Sequence, residues 1–411
     1  MDNSQNYDII IIGGGLVGAS LACALRTLPL KIAVIEAAPW FTNVRPPSYD
    51  DRVIALSESS RRIFTGMNLW SSIASEATPI KSIHISDQGH FGFTRLDHHL
   101  LRAPALGYVV SARHLGQSLQ AALTPTKVDI FAPAQLSWIN DHDSSVSIEI
   151  TVNNKPINLK TCLLVAADGG HSKVCQLLGI DAQETDYGQT AIIANITTAY
   201  PHKNVAYERF TPTGPLALLP MREHECSLVW TKTPSEVENL LNLTDAQFLA
   251  ALQQAYGWRL GRIQRIGQRH AYPLRLIRVL PYTRNRVVVI GNAAHTLHPV
   301  AGQGLNLGLR DVASLTEAVV ESWRKDRKLG DAKTLQNYQT WQQPDQQRVT
   351  YLTDQLVHLF SNSHLPLVMS RNIGLLLLDA LTPLKKSLVR QMAGLNGYPS
   401  RLIRGLPSND E

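Results

Sequence analysis

The chain has 411 residues, 44% hydrophobic and 18% charged, which is material for more than one core and too much for one small domain. Its formal charge of +6 suits an anionic cofactor or an acidic membrane surface, while the lack of any Lys/Arg block interleaved with aromatic residues argues against nucleic acid. Cys23, Cys162, Cys175 and Cys226 are scattered without C-x-x-C spacing, which argues against a zinc site or a disulfide framework and fits a reducing compartment.

The opening "MDNSQN" is polar and passes straight into a strand pattern, leaving no room for the basic and apolar regions of a signal peptide, so a cytoplasmic protein is expected. "YDIIIIGGGLVGASLACALRTLPLKIAVIEA" then reads as an apolar strand, a glycine turn, a small-residue helix and a second strand, a complete β-α-β unit. In its G-x-G-x-x-G, Gly13 serves a tight turn, Gly15 a close backbone approach to a pyrophosphate, and Gly18 tight packing of helix on strand. Glu36 follows the second strand, where a carboxylate can accept hydrogen bonds from both ribose hydroxyls of an adenosine. The fingerprint indicates a dinucleotide without choosing between FAD and a nicotinamide, because both bring an ADP half to this kind of turn.

"TCLLVAADGGHSKV" is again an apolar strand (161–167), delivering Asp168 and Gly169 to a turn before a short helix. Alone it would be an ordinary turn with Asp as N-cap. "QTAIIANITTAYPHKNVAYERFTPTGPLALLPMREHECSLVWT" reads as successive strands with turn signals at Pro201, at Pro212-Thr213-Gly214 and at Arg222-Glu223. A third nucleotide-type marker follows: strand 286–290 feeds "GNAAHTLHPVAGQGLNLGLRD", whose glycines precede a helix from about Gly304 to Trp323. Unpaired N–H groups at such a helix start favour a developing negative charge, and glycines let a flat ligand lie on the backbone. Reduced flavin carries that charge at its N1/O2 edge. His295 and His298 lack the further ligands a metal would need, so no metal site is expected.

The ordered set "GGGLVG", "AADGGHS" and "GNAAHTLHPVAGQGLNLGLRD" resembles the single-component FAD-dependent aromatic hydroxylases of the p-hydroxybenzoate hydroxylase type, over nearly the whole chain. Within that group "DDRVIALSESSRRIF", "AYERFTPTGPLALLPM" and "DQLVHLFSNSHLPLVMSRNIGLLLLDALTP" resemble the ubiquinone-biosynthesis hydroxylases. The resemblance implies an α/β (α+β) fold: a Rossmann-like FAD lobe (1–75, 100–185, 280–330), an interleaved antiparallel-sheet substrate lobe (76–99, 186–279) and a C-terminal helical region (331–411). It implies that Gly13, Gly15, Gly18 and Glu36 hold the ADP half of FAD, that Arg52 and Arg113 meet its phosphates or ribityl chain, and that Asp168 serves flavin and reductant. Asn292 stands where most of the family has Asp for the ribityl hydroxyls, and Cys175 where many relatives carry Arg. Pro299, Gly302, Gln303 and Gly304 would border the isoalloxazine ring, with the N–H groups of Leu305 and Asn306 at its N1/O2 edge. His298 and Pro299 are the candidates for contact near the reacting ring.

The implied chemistry is a monooxygenation in which NAD(P)H supplies electrons, O2 supplies oxygen, and a polyprenylated phenol is the substrate. The protein must exclude water and favour the phenolate, and no residue for that second task stands out from the sequence. Phe210, Leu216, Leu218 and Pro220 are core residues of the substrate sheet or walls of a pocket for the phenol. A sister hydroxylase acting at another ring position remains open, as does a flavoprotein subunit of a biosynthetic assembly that no longer turns over. A flavin halogenase is disfavoured by the missing W-x-W-x-I-P signature.

In the last third, "LPLVMSRNIGLLLLDALTPLKKSLVRQMAGL" (365–395) is interrupted by Arg371, Asp379 and Pro383, too broken for the ~20 residues of a membrane span. Two short helices with Leu-rich faces, followed by Lys385, Lys386 and Arg390, suggest a surface resting on anionic lipid or docking another protein of the pathway. The alternative is that Leu375 to Leu378 cap the core of the FAD lobe.

Overall fold

The computed structural model describes residues 5–40, 52–298, 302–360 and 364–409. The second half of strand Gln5–Ile12 is wholly apolar because both its faces are covered: Ile9 and Ile11 enter one core cluster, Ile10 and Ile12 another. It lies between parallel strands Lys155–Ala166 and Ile32–Ile35, with Ile9 opposite Leu163 on one side and Ile32 on the other. Val287–Val289 and Asp129–Phe131 extend the parallel sheet outward. Lys155–Ala166 begins earlier than expected because its first half pairs with the preceding strand Val146–Val152 across a two-residue turn at Asn153 and Asn154, both at positive φ, and Val146–Val152 pairs in turn with Gln135–Asp141. Helices Leu16–Leu25 and Gln303–Arg324 cover one face of this sheet. Val17 fits between Gly291 and Gly308, where any Cβ would come within about 3 Å of its methyl groups.

A nine-stranded sheet forms the second layer, in the order His295–Thr296, His270–Val279, Ala182–Thr198, Glu225–Lys232, Gly214–Pro220, Val205–Thr211, Ser82–Asp87, Phe93–Asp97, with Ile263–Ile266 also on Ala182–Thr198. Pairing is antiparallel except between Val205–Thr211 and Ser82–Asp87. Helices Pro234–Leu241 and Asp245–Tyr256 bury one face through Val237, Phe248 and Leu252. The other face looks toward the nucleotide layer and the C-terminal helices.

The chain ends in helices Ala332–Phe360, Leu365–Ala380 and Thr382–Met392, the last two meeting at 98°. Leu375 packs with Ile85, Leu96, Phe210 and Phe360, so this pair covers the substrate sheet rather than the core of the FAD lobe. Polar contacts fix it there. Arg371 donates to both Asp87 oxygens (2.9 and 3.2 Å), Asn372 bridges Asp87 and the Gly92 N–H, and Asp379 accepts from Thr94, the Arg95 N–H and Lys385. Among the described residues no single helix is long and apolar enough to cross a membrane, although the bent pair has the composition of a broken span.

Candidate functional site: a cavity at the meeting of three glycine turns

The first turn separates the roles of its glycines. Gly13 has φ +101°, and a Cβ there would strike the Ala167 carbonyl at the end of the neighbouring strand. A Cβ on Gly18 would strike the Gly13 carbonyl. Both are demanded by the fold. Gly15 has an ordinary φ of −65° and nothing within 4 Å of a Cβ, because that space is cavity. Glu36 reaches the same turn, accepting from the Gly14 N–H at 2.6 Å and the Ala38 N–H at 2.8 Å.

At the second turn the N-cap is Ser172, which accepts from the Cys175 N–H, so the capping role expected of an isolated Asp-Gly turn falls elsewhere. Asp168 accepts from the Val174 N–H with one oxygen, while the other is buried without a partner. Burial pushes its carboxyl above the ordinary carboxylate range. Gly169 leaves open space, and His171 and Lys173 also line the cavity. Cys175 is buried in the core behind the turn, where burial pushes its thiol up.

The third turn is anchored by a residue the sequence reading missed. Asp311 is fully buried; one oxygen accepts from the Gly291 N–H (2.9 Å) and His295 Nε2 (2.6 Å), the other from Gln342 and Gln346 (2.9 and 2.8 Å). Four donors on one carboxylate lock the loop to two helices. His298 turns elsewhere, with Nε2 3.1 Å from Gln189 Oε1 and its ring edge-on to Tyr187; burial lowers its pKa to about 4, leaving it neutral near pH 7. The two histidines thus engage separate partners, and neither lines the cavity. Pro299 lies outside the described residues.

Helix Gln303–Arg324 opens at Gly302, which has φ +60° and no side chain to cap the first-turn N–H groups. Asn292, Gly302, Gln303, Gly304 and Leu305 line the cavity there. Asn292 is exposed, and its amide makes no hydrogen bond within the described protein. The Asn306 side chain is structural: it accepts from the Ser57 N–H and Ser60 Oγ and donates to the Ala55 and Gly302 carbonyls, which leaves only its backbone for a ligand. Arg52 lines the cavity beside the Tyr272 ring, 5.5 Å from its centroid. Arg113 is half-buried in the first turn of helix Ala112–Leu123, and its neighbour Ala112 reaches the wall instead.

The three turns bound one end of a cavity of about 1060 Å³. The other end is apolar, walled by the substrate sheet and by Leu356, Phe360, Leu375 and Leu388. Phe210 is part of that wall. Leu216 and Leu218 face the helices behind the sheet, and alternation puts Ala217 and Leu219 on the cavity side, one residue out of phase with the candidate wall. Pro220 is buried away from it. Ala206 packs with Val53 and Ala55 beside Gly302, Phe210 packs with Phe360 and Leu375 in the apolar wall, and a second missed residue, Glu208, lines the cavity between them. The signal was present in "VAYERFT", where an acid shares its strand face with Ala and Phe.

The open space over Gly15 and Gly169, the unpaired oxygen of Asp168 and the uncapped helix start fit FAD: ribose at Glu36, pyrophosphate at Gly15, ring system at Gly302–Leu305. The family profile for the FAD binding domain matches residues 6–352. Ubiquinone hydroxylase UbiL of Rhodospirillum rubrum is 35% identical over 404 residues, covering 97% of this chain and 93% of UbiL. The 3-demethoxyubiquinol 3-hydroxylase of Escherichia coli is 31% identical, covering 95% of this chain and all of that enzyme. The crystal structure of p-nitrophenol 4-monooxygenase PnpA from Pseudomonas putida has the same fold, with TM-score 0.77 over 96% of this chain and 99% of that one at 18% identity. Three nucleotide-type turns on one cavity and full-length likeness to ubiquinone hydroxylases together make this chain a member of the FAD-dependent aromatic monooxygenases, in the ubiquinone-biosynthesis hydroxylase family.

Proposed function

We propose that this enzyme hydroxylates a polyprenylated phenol opposite an existing ring oxygen, in the manner of a 2-octaprenyl-6-methoxyphenol hydroxylase, giving a 1,4-benzoquinol. The observation that carries the reading is the two-ended cavity: cofactor turns at one end, and at the other an apolar channel that fits a prenyl chain. Bound FAD, reduced by NAD(P)H, supplies activation of O2. The chain's own residues bind and orient. Asp311 holds the flavin loop rigid, and Phe210, Phe360 and Leu375 keep water from the ring. NAD(P)H oxidation that accelerates with a prenylated phenol, with label from isotopic O2 in the product, tests this; label drawn from water rejects it.

The same reading places the protein peripherally on the cytoplasmic face of a membrane, so that the prenyl tail passes directly from lipid. Ile373, Leu377, Leu381 and Leu384 are exposed on the outer side of the helices whose inner side closes the channel. Lys385 is tied to Asp379 at 2.8 Å, so exposed Lys386 and Arg390 are the cations available to lipid headgroups. Lys386→Glu/Arg390→Glu should leave FAD content intact and reduce sedimentation with anionic vesicles; unchanged sedimentation rejects the membrane seat, and retention only by other pathway proteins would point to a docking surface.

A further inference from the structure

Glu208 is an acid where the fold asks for an apolar residue. Directly opposite it on the two flanking strands stand Ala217 and Ile85, and two residues away on its own face stand Ala206 and Phe210. Its carboxyl has no hydrogen bond or ion pair with any described residue, and part of its surface opens to the cavity rather than to bulk water. An unpaired carboxylate among apolar walls is unfavourable and would be expected only where a ligand completes it.

The charged groups around it are committed elsewhere. Asp87, on the same face of the adjoining strand, is held by Arg371, Asn372 and His90. Tyr207 and Arg209 leave on the opposite face, toward Tyr256. The three helices closing this end contribute Thr353 and Gln391 as their polar cavity groups and nothing charged. Nothing nearby therefore fixes the ionisation state of Glu208 except its surroundings and what binds beside it.

Resting on the phenol reading above, we propose that Glu208 is the general base of the reaction, taking the hydroxyl proton of the phenol ring held between the flavin end and the apolar channel. The O–H bond breaks, its electron pair stays on oxygen as phenolate, and the proton becomes the carboxyl proton of Glu208; no oxidant or reductant is consumed. A phenolate ring is the electron-rich form that oxygen insertion needs, and an unperturbed phenol reaches it only near pH ~10. Burial raises Glu208 to about 7, the range in which a carboxylate is basic enough to act and still ionised at working pH.

The test compares holoenzyme and Glu208→Gln, which keeps volume and loses the base, with flavin absorbance as the control for FAD content. Turnover of a short-chain prenylated methoxyphenol, and its binding, are followed against pH for each. In the wild type turnover should rise as pH passes about 7, where the carboxylate becomes available as base. In Glu208→Gln that limb should vanish and turnover should fall by roughly 100-fold or more while the phenol still binds, with Glu208→Asp recovering part of both. Identical pH profiles in wild type and Glu208→Gln overturn the role of Glu208 and leave the substrate reading standing. Failure of the phenol to bind wild-type holoenzyme overturns the substrate reading and with it this role.

Discussion

Gly15→Ala separates a ligand-facing glycine from a fold-facing one. At φ −65° the backbone of Gly15 suits alanine, so the fold meets no strain, and the unfolded chain loses freedom worth about 0.4–1 kcal/mol of stability. Alanine is the poorer N-cap, which offsets a similar amount, so the melting temperature of the apoprotein should hardly move. The new methyl group enters space that has no protein atom within 4 Å and that borders the cavity. There it keeps a pyrophosphate from the backbone N–H groups; losing one charge-assisted hydrogen bond costs about 1.5–3 kcal/mol, or roughly 10- to 150-fold in FAD affinity. Gly18→Ala is the internal contrast, because its methyl group meets the Gly13 carbonyl and must distort the turn, lowering stability and flavin content together. Flavin release followed by fluorescence, with thermal melts of both apoproteins, reads the two effects separately. A Gly15→Ala protein that retains FAD with wild-type affinity would refute the assignment of that space to the cofactor.

Asp311→Ala leaves the Gly291 N–H, His295, Gln342 and Gln346 without their acceptor, each buried donor costing about 1–3 kcal/mol. A loss of less than about 2 kcal/mol in denaturant melts would mean that water or a repacked side chain replaces the anchor. Arg371→Ala leaves the buried Asp87 without its guanidinium partner, with Asn372 and His90 beside it, which should cost about 3 kcal/mol and speed hydrogen exchange in helices 365–380 and 382–392. Burial lowers His84 and His298 from 6.5 to about 4, so the unfolded chain binds more protons than the folded one across that window. The contribution of these two histidines is therefore full above about 6.5 and is lost as pH drops toward about 4, opposed by Glu208, whose raised value near 7 favours the folded state at the lower pH; His84→Gln/His298→Gln should make stability less sensitive to acid, and an unchanged slope would place the acid sensitivity elsewhere.

What was legible in the sequence was local. The glycine turns could be read because each lies between an apolar strand and a helix start, although what forbids a Cβ can be distant, as the Ala167 carbonyl is for Gly13 and Val17 for Gly291. The helix expected over 304–323 is Gln303–Arg324, and the two short C-terminal helices stand where Pro383 divides the Leu-rich run. What was not legible depends on partners far along the chain. Asp311 lies 20 residues from Gly291 and 35 from Gln346, and Asp87 lies 284 residues from Arg371. For Leu216 and Leu218 core and wall both stay open in the sequence, because strand alternation names two faces without saying which is covered by helices and which by cavity; the structure makes both residues core. Glu208 breaks that symmetry: an acid on one stripe is the clue that the stripe faces a ligand.

The C-terminal helix pair shows why polar residues can decide what apolar ones leave open. Helix Leu365–Ala380 carries leucine on both sides, with Leu375 buried while Leu376 and Leu377 are exposed. The hydrophobic effect has no direction, so apolar content alone does not choose which side turns inward. Arg371, Asn372 and Asp379 do choose, because only one rotation of the helix brings them to Asp87, the Gly92 N–H and the Arg95 N–H; any other would bury them unpaired or leave Asp87 uncompensated. The same rotation that closes the channel with Leu375 and Leu378 thereby holds Ile373 and Leu377 outward. An apolar surface on the outside and an apolar channel on the inside are two consequences of one set of polar contacts, which is the arrangement that the proposed entry of a lipid-tailed substrate requires.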